Sequence, residues 1–160
     1  MRDTTHINKP RFRKAIDEAA RLALDLPDEY DQLSPAELAT LLEWIRLAIK
    51  PAKTAVIGSS YGIKHDFEDV TYLYVTNGQF KGAMLAAGYA PVNRGERNWR
   101  FRIRPTGKSS KSSSGSIYHI DHLAPEERED LDALARAANR AQKRRYEAYR
   151  RHEQYPGWAS

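Results

Sequence analysis

The stretch from Ser34 to Pro51 carries a complete set of helix signals and constrains the fold more than any other part of the chain. Ser34 can cap the helix, the following proline suits its first turn, and Glu37 can return a hydrogen bond to the cap. Lys50-Pro51 ends the pattern, because proline disfavours helix at the residue before it. The apolar residues recur at spacings of three and four: Leu38, Leu41, Leu42, Ile45, Ala48 and Ile49. The sequence therefore predicts a helix over 34–50 with one buried face.

A second, shorter helix is predicted over 60–69. It follows the segment GSS at 58–60, whose serines are candidate caps, and it places Ile63 and Phe67 one turn apart. The next residues, VTYLYV at 70–75, are β-branched and aromatic. Their composition is typical of a short strand or an extended connection, which separates this helix from the next one.

A third helix is predicted over 77–87. Thr76 and Gln79 repeat the capping-box spacing, and Gly88 supplies the left-handed conformation that often ends a helix. Its apolar face comprises Phe80, Ala83, Met84 and Ala87. The helix is therefore bounded on both sides by local signals.

Residues 90–104 are predicted to form a β-hairpin. The turn-forming residues NRGE at 93–96 precede the run NWRFRIR, in which apolar and basic side chains alternate. The apolar ones are Trp99, Phe101 and Ile103, and the basic ones are Arg100, Arg102 and Arg104. One face of this strand should pack on the core, whereas the other should present a row of guanidinium groups. Such a row can follow a phosphate backbone, because the planar guanidinium pairs with phosphate at two points.

The distribution of charge indicates an anionic partner. The 160-residue chain carries a formal net charge of +5, with an isoelectric point near 9.4. Five acidic residues and no basic ones lie between Asp25 and Glu37, whereas residues 91–111 contain seven basic residues and one acidic residue. A local positive field favours a polyanion, and nucleic acid is the commonest polyanion in a cell. The alternative is an ordinary solvated basic surface.

Length and composition exclude several classes of protein. A chain of 160 residues accommodates one compact domain with appendages. No apolar run approaches the roughly 20 residues of a membrane helix, and residues 1–10 lack the apolar centre of a secretory signal, so a cytoplasmic protein without membrane contact is expected. Cysteine is absent, which excludes disulfides, thiolate metal sites and a cysteine nucleophile. The pair His119 and His122 has no fixed scaffold, so we predict neither an enzyme nor a cofactor or metal site.

The core over 34–105 is predicted to carry three appendages. Residues 1–33 form an N-terminal helical arm, in which a helix begins near Pro10 and ends near Leu26. Residues 106–124, which include TGKSSKSSSGS, form a Ser-rich flexible linker. Residues 125–160 form a long basic helix and a tail.

The C-terminal helix is acidic in its first turns and basic in its last ones. This order complements the helix dipole, yet the basic residues near its end exceed what the dipole requires. The candidates for partner binding are Arg140, Arg144, Arg145, Tyr146 and Tyr149. They could contact nucleic acid or an acidic protein, or form a solvated face.

The order of the three helices and the basic hairpin resembles a winged helix-turn-helix DNA-binding domain over residues 34–105. The segments SSYGIKHDFE, YVTNGQFKGAMLAAGY and NWRFRI are similar to those of small proteins carried by bacteriophages and plasmids, that is, by mobile elements. The extra VTYLYV segment departs from the winged-helix pattern. The resemblance implies a mainly α fold with a small β-hairpin (α+β), in which a winged-helix-like core carries an N-terminal helical arm and a long C-terminal helix.

The resemblance also implies where nucleic acid would bind. The third helix would read a groove through its exposed side, and the hairpin would contact the backbone. The nucleic-acid-binding residues of the helix and hairpin would be Asn77, Gln79, Lys81, Arg94, Arg97, Arg100, Arg102 and Arg104. Beyond the hairpin, Lys108 and Lys111 could extend this basic surface as a mobile arm along nucleic acid, or their segment could be an uninvolved tether. Alternatively, Gln79 is only a cap partner and Lys81 is only a solvated charge.

Two functions from different classes are consistent with these features. The first is that of a duplex-DNA-binding protein of a phage or plasmid, with a regulatory or replication-accessory role. The second is that of a mobile-element protein that binds and inhibits a host protein of the defence or transcription machinery. It would use the C-terminal helix and the surface around Tyr72 and Tyr74. An accessory subunit of an enzyme is a third interpretation.

Overall fold

The computed structural model describes residues 18, 20, 22–107 and 115–154. In chain order they include a 3-10 helix at Pro27–Gln32, α1 at Pro35–Ala48, β1 at Ile49–Pro51, α2 at Ser60–Thr71, α3 at Asn77–Ala86, β2 at Ile103–Pro105 and α4 at Pro125–Gln154. The fold is mainly helical, with a two-stranded antiparallel sheet and a long C-terminal helix. The predicted fold class is confirmed.

Both predicted capping boxes are present. The Glu37 amide donates to Ser34 Oγ at 3.3 Å, and the Ser34 amide donates to Glu37 Oε1 at 3.1 Å. At the start of α3 the Gln79 amide donates to Thr76 Oγ1 at 3.1 Å, while the Thr76 amide donates to Gln79 Oε1 at 2.9 Å. Each box satisfies backbone donors that the first helical turn leaves unpaired, which explains why α1 and α3 begin where the sequence predicts.

The apolar faces predicted from the sequence meet in one hydrophobic core. Trp44 is fully buried and meets Phe67 and Phe80 edge-to-face, with ring centroids 5.6 and 6.5 Å apart. The predicted apolar residues buried in this core are Leu41, Ile45, Ile63, Phe67, Phe80, Met84, Trp99, Phe101 and Ile103, with Leu42 packed at its edge. The helices and the arginine-rich strand therefore share one core.

The antiparallel sheet includes the arginine-rich strand, but its main partner strand differs from the predicted one. The register pairs Ile49 with Pro105, Lys50 with Arg104 and Pro51 with Ile103. Within 90–104 the pairing is a bridge between Pro91 and Phe101. The Val92 amide also donates to the Arg100 carbonyl at 2.8 Å, but β2 makes its longer pairing with β1, directly after α1.

Part of the predicted linker over 106–124 belongs to the core. Tyr118 and Ile120 are buried, and the Tyr118 hydroxyl donates to the Ile57 carbonyl at 2.6 Å. The Tyr118 amide donates to Asp66 Oδ2 at 3.0 Å, which ties this segment to α2. The packing of Tyr118 and Ile120 corrects the prediction of a flexible linker, because the apolar residues of SIYHI are buried. Residues 108–114 lie outside the described part of the chain.

The described end of the predicted N-terminal arm, residues 22–33, packs against α3. A Cβ at Gly78 would lie 2.1 Å from the Leu26 carbonyl oxygen, and one at Gly82 would lie 2.3 Å from Tyr30 Cβ. Glycine permits this close approach because it has no side chain. This end of the arm is therefore part of the folded core, whereas most of the remaining arm lies outside the described residues.

The C-terminal helix α4 packs along α1 and along the connection between α2 and α3. Leu131 and Ala138 are buried in the core. Asn139 Nδ2 donates to the Thr71 carbonyl at 2.8 Å, and the Gln142 side chain exchanges hydrogen bonds of 3.2 and 2.8 Å with the main chain of Tyr74. These contacts satisfy the extended backbone that follows α2. No helix in the part of the chain that the structure describes is long and apolar enough to cross a membrane.

Candidate nucleic-acid interface

Lys81 does not lie on an exposed face of α3. The residue is 3% exposed, and its Nζ donates to the Asp25 carbonyl at 2.9 Å. The same nitrogen lies 5.0 Å from the centroid of the Trp99 ring. Burial lowers the pKa of Lys81, and the Asp25 carboxylate acts against that effect. The predicted exposed position of Lys81 and the alternative of a solvated charge are both wrong, because the side chain is enclosed.

Asn77 is buried as well, and Gln79 is half-buried. Asn77 Oδ1 accepts from Ser60 Oγ at 2.7 Å, while its Nδ2 donates to Asp25 Oδ1 at 2.9 Å and to Asn98 Oδ1 at 3.1 Å. The predicted exposed position of Asn77 is therefore wrong, because its amide joins α2, α3 and the chain before β2. The Gln79 side chain caps the start of α3, so its alternative role as a cap partner is confirmed.

The acidic segment near Asp25 accounts for this enclosure. Asp25 Oδ2 accepts from Arg97 Nε at 2.7 Å. Burial acts to raise the pKa of Asp25, but hydrogen bonds from Asn77 and Arg97 bring it below its ordinary value. The ionised carboxylate thus holds the N-terminal segment against the side of α3 that carries Lys81. This arrangement leaves Asn77 and Lys81 inaccessible to a base.

Three of the five hairpin arginines already contact groups of the protein. Arg97 forms the ion pair described above. Arg100 donates to both carboxylate oxygens of Glu96, at 3.0 and 2.7 Å, and the Arg94 guanidinium lies 5.6 Å from the centroid of the Trp99 ring. All three arginines are exposed, and exposed ion pairs contribute little free energy. They remain available to a stronger anionic partner.

The other two arginines combine with two lysines in a surface that we call the basic ribbon: Lys50, Lys53, Arg102 and Arg104. Lys50 in β1 lies directly opposite Arg104 in β2. The Ala52 amide donates to the Arg102 carbonyl at 3.0 Å, which extends the pairing towards Lys53. Among the described residues, no carboxylate forms an ion pair within 4.0 Å with any of these four cations. The basic ribbon is therefore an uncompensated positive surface within the described part of the chain.

The Lys50–Arg104 pair should lower the stability of the sheet. Like charges directly opposite one another in a β-ladder repel, and each strand here is only three residues long. Beside the pair is a groove of about 570 Å³, lined by Pro51, Ala52, Lys53, Thr54, Ala55 and Arg104. An anion bound along this groove would offset the repulsion between the two cations.

The candidate partner-binding residues of α4 fall into two groups. Arg145 donates to the buried carboxylate of Glu37. Burial acts to raise the pKa of Glu37, but hydrogen bonds from Ser34, Gln142 and Arg145 hold it below its ordinary value. Arg145 is therefore occupied in attaching α4 to α1. The remaining candidates are exposed: Arg140, Arg144, Tyr146 and Tyr149.

Two predicted nucleic-acid-binding residues, Lys108 and Lys111, lie outside the described residues. Within the residues that the structure describes, no group of three or more histidine or carboxylate side chains is placed to hold a metal ion. Comparison with protein-family models, with curated proteins and with solved structures finds no match to this chain. The interpretation of the basic ribbon consequently depends on its own geometry.

Sequence reasoning missed Lys50 and Lys53. Both belong to the segment KPAK, which ends the helix pattern of α1. Because β1 has only three residues, hydrophobic periodicity cannot identify it as a strand. The two lysines become candidates only when β1 is known to pair with the strand of Arg104.

Proposed function

We propose that this protein binds duplex DNA through the basic ribbon and contacts the phosphate backbone without reading bases through α3. The observation that supports this most strongly is the position of Lys50 opposite Arg104, without an ion-pair partner for either among the described residues. Two like charges destabilise the sheet, and an anion that binds the folded protein restores that stability. Four cations on and directly beside one short sheet suit a polyanion better than a single small anion.

The spacing between Arg104 in β2 and Arg102, directly before β2, also suits contact with a phosphate backbone. Arg102 and Arg104 are two residues apart, so their Cα atoms are separated by ~6.6 Å in an extended chain. Their side chains point to the same face of an extended chain, so both guanidinium groups can contact one phosphate backbone. Guanidinium groups pair with phosphate at two points and without regard to base sequence. Such contacts suit an accessory role in regulation or replication, in line with the resemblance to small phage and plasmid proteins.

Binding to a random-sequence duplex across a salt series tests this proposal. The Arg102→Ala/Arg104→Ala variant should bind more weakly and lose about 1.8 units of log–log salt slope, at ~0.9 per phosphate contact. The matched control, Arg46→Ala/Arg136→Ala, removes two exposed arginines of α1 and α4 and should keep the wild-type slope. A folded Arg102→Ala/Arg104→Ala variant with wild-type affinity and slope contradicts the proposal.

One observation favours a second candidate function, the binding of an acidic host protein through α4. Tyr146 and Tyr149 are 61% and 59% exposed, and α4 also exposes Arg140 and Arg144. Tyrosine and arginine contribute strongly to protein interfaces. Replacing the two tyrosines with alanine should then abolish copurification of one specific host protein and leave DNA affinity unchanged. Wild-type DNA affinity in the Arg102→Ala/Arg104→Ala variant would make this the leading candidate.

A further inference from the structure

A cavity of about 510 Å³ lies at the start of α2, beside the ion pair of Asp25 and Arg97. We call it the tyrosine cavity, and its lining includes two tyrosines and several polar side chains: Tyr61, Lys64, His65, Tyr74, Arg97 and Asn98. Its volume lies within the range of ~300–1,000 Å³ that is typical of ligand sites. The residues of the basic ribbon do not line it, so its aromatic side chains need a separate explanation.

Two tyrosine rings lie near a buried ammonium group in this cavity. Lys64 Nζ is 5.5 Å from the centroid of the Tyr61 ring and 5.1 Å from that of the Tyr74 ring. The same nitrogen pairs with Glu68 Oε1 at 2.6 Å, which fixes its position. The two tyrosines nevertheless remain 52% and 60% exposed. The rings are therefore held in place and still accessible, which lowers the entropy cost of stacking a flat ligand on them.

The backbone two residues before Tyr74 is strained, and the strained residue has an exposed ring of its own. Tyr72 ends α2 with φ 57° and ψ 19°, a left-handed conformation that costs free energy in any residue with a Cβ. Glycine would adopt it without that cost. The residue is 85% exposed, so burial of the ring does not offset the strain. Tyr72 does not line the cavity, so its ring could contact only a part of a ligand that extends beyond the cavity.

The polar groups of the cavity suit a nucleotide. Arg97 pairs with Asp25 through its Nε, which leaves its two terminal nitrogens to donate to a phosphate or to the edge of a base. The Asn98 amide adds hydrogen-bonding groups beside it. From Arg97 the chain runs to Arg104 over at most ~23 Å, at ~3.3 Å per residue. Phosphate contacts can therefore continue from the cavity to the basic ribbon.

We propose that the tyrosine cavity binds an unpaired nucleobase, stacked on Tyr61 and Tyr74, from a strand whose phosphates follow the chain from Arg97 to the basic ribbon. For its phosphate contacts this inference rests on the proposed function. It specifies the ligand as single-stranded nucleic acid, alone or at the open end of a duplex, because a base inside the duplex stack cannot reach a protein ring. Stacking of this kind tolerates any sequence, since every base has a π face.

Fluorescence anisotropy with three labelled probes tests this inference. The probes are a single-stranded oligothymidylate, the same strand with abasic sites, and a fully paired duplex. The Tyr61→Ala/Tyr74→Ala variant should bind oligothymidylate about tenfold more weakly, whereas its affinity for the abasic strand and the duplex should equal that of the wild type. The Tyr61→Phe/Tyr74→Phe variant keeps both rings and should keep wild-type affinity for oligothymidylate.

The outcomes separate this inference from the proposed function. The Arg102→Ala/Arg104→Ala variant should bind all three probes more weakly. If it does, but Tyr61→Ala/Tyr74→Ala binds oligothymidylate like the wild type, the cavity inference is overturned and the basic ribbon stands. If only the tyrosine variant loses affinity, the basic ribbon and the phosphate path towards it are overturned, whereas the stacking of a base in the cavity is supported. The wild-type protein alone provides a further test. If it binds the abasic strand as tightly as oligothymidylate, the cavity inference is overturned.

Discussion

The ammonium group of Lys81 donates to the main-chain carbonyl of Asp25 at 2.9 Å, although the two residues are 56 positions apart in the chain. This contact joins the N-terminal acidic segment to α3 and encloses a cation that the resemblance to a winged helix-turn-helix domain places on the exposed side of that helix. The Asp25 carboxylate adds to the attachment by binding Arg97. With this side of α3 covered, the candidate interface moves from the third helix to the basic ribbon.

The contact between α3 and the 3-10 helix should depend on Gly82. A Cβ there would lie 2.3 Å from Tyr30 Cβ and 2.5 Å from the Pro27 carbonyl oxygen. Gly82→Ala should therefore destabilise the fold by about 1–3 kcal/mol in urea denaturation, although alanine has the higher helix propensity. The control is Gly62→Ala in α2, where the nearest atom is Ser59 Oγ at 4.0 Å, and it should be neutral or slightly stabilising. Wild-type stability in Gly82→Ala would contradict the close contact.

Lys81 should affect stability rather than DNA binding. Lys81→Ala removes the donor of the Asp25 carbonyl and the contact with Trp99, so the free energy of unfolding should fall by about 1–3 kcal/mol. The salt slope of duplex binding by the folded variant should match that of the wild type. Lys53→Ala, in the basic ribbon, should show the reverse, with little change in stability and a slope lower by about 0.9. A stable Lys81→Ala variant with a reduced slope would restore α3 as the DNA contact.

The Lys50–Arg104 pair should oppose stability and favour DNA binding. Lys50→Glu replaces the repulsion with an ion pair across the sheet and should stabilise the fold by about 0.2–1 kcal/mol. The same change should weaken duplex binding more than Lys50→Gln does, because it adds a negative charge to the ribbon. Urea denaturation and DNA titration at one salt concentration measure the two effects. A Lys50→Glu variant that is less stable, or that binds DNA like the wild type, would refute this arrangement.

Acid should weaken the attachment of α4 to α1. Burial acts to raise the pKa of Glu37, but hydrogen bonds from Ser34, Gln142 and Arg145 outweigh it, so the pKa in the folded protein is lowered. A carboxyl group of this kind contributes stability that is present above its unfolded pKa. That stability is lost as the pH falls through the folded pKa.

Comparison of the wild type with Glu37→Gln by urea denaturation at a series of pH values isolates this contribution. Other carboxyls act differently, since burial raises the pKa of Asp66. The stability difference between the two proteins should be largest near neutral pH and should shrink as the Glu37 carboxyl gains a proton. Glu129→Gln, an exposed change on α4, is the control and should show no such trend. A difference that does not vary with pH would mean that Glu37 is not ionised beside Arg145.

Local signals were sufficient to predict most of the helices. α1 and α3 begin at capping boxes in which donor and acceptor are three residues apart, so a short window of sequence contains both partners. The alternation of Trp99, Phe101 and Ile103 with arginines also involves only neighbouring residues. It correctly predicts which of these side chains are buried.

The candidate site, in contrast, depends on contacts between distant parts of the chain. In the sequence, nothing distinguishes Gly78 and Gly82 from other small residues of a helix. The structure shows that the main chain near Leu26 and Pro27 packs closely against them. Lys50 meets Arg104 because β1 pairs with a strand that lies beyond two helices. Such pairings follow from the packing of the whole core, which no short window of sequence contains. The burial of Lys81 and the formation of the basic ribbon are therefore decided by the tertiary structure.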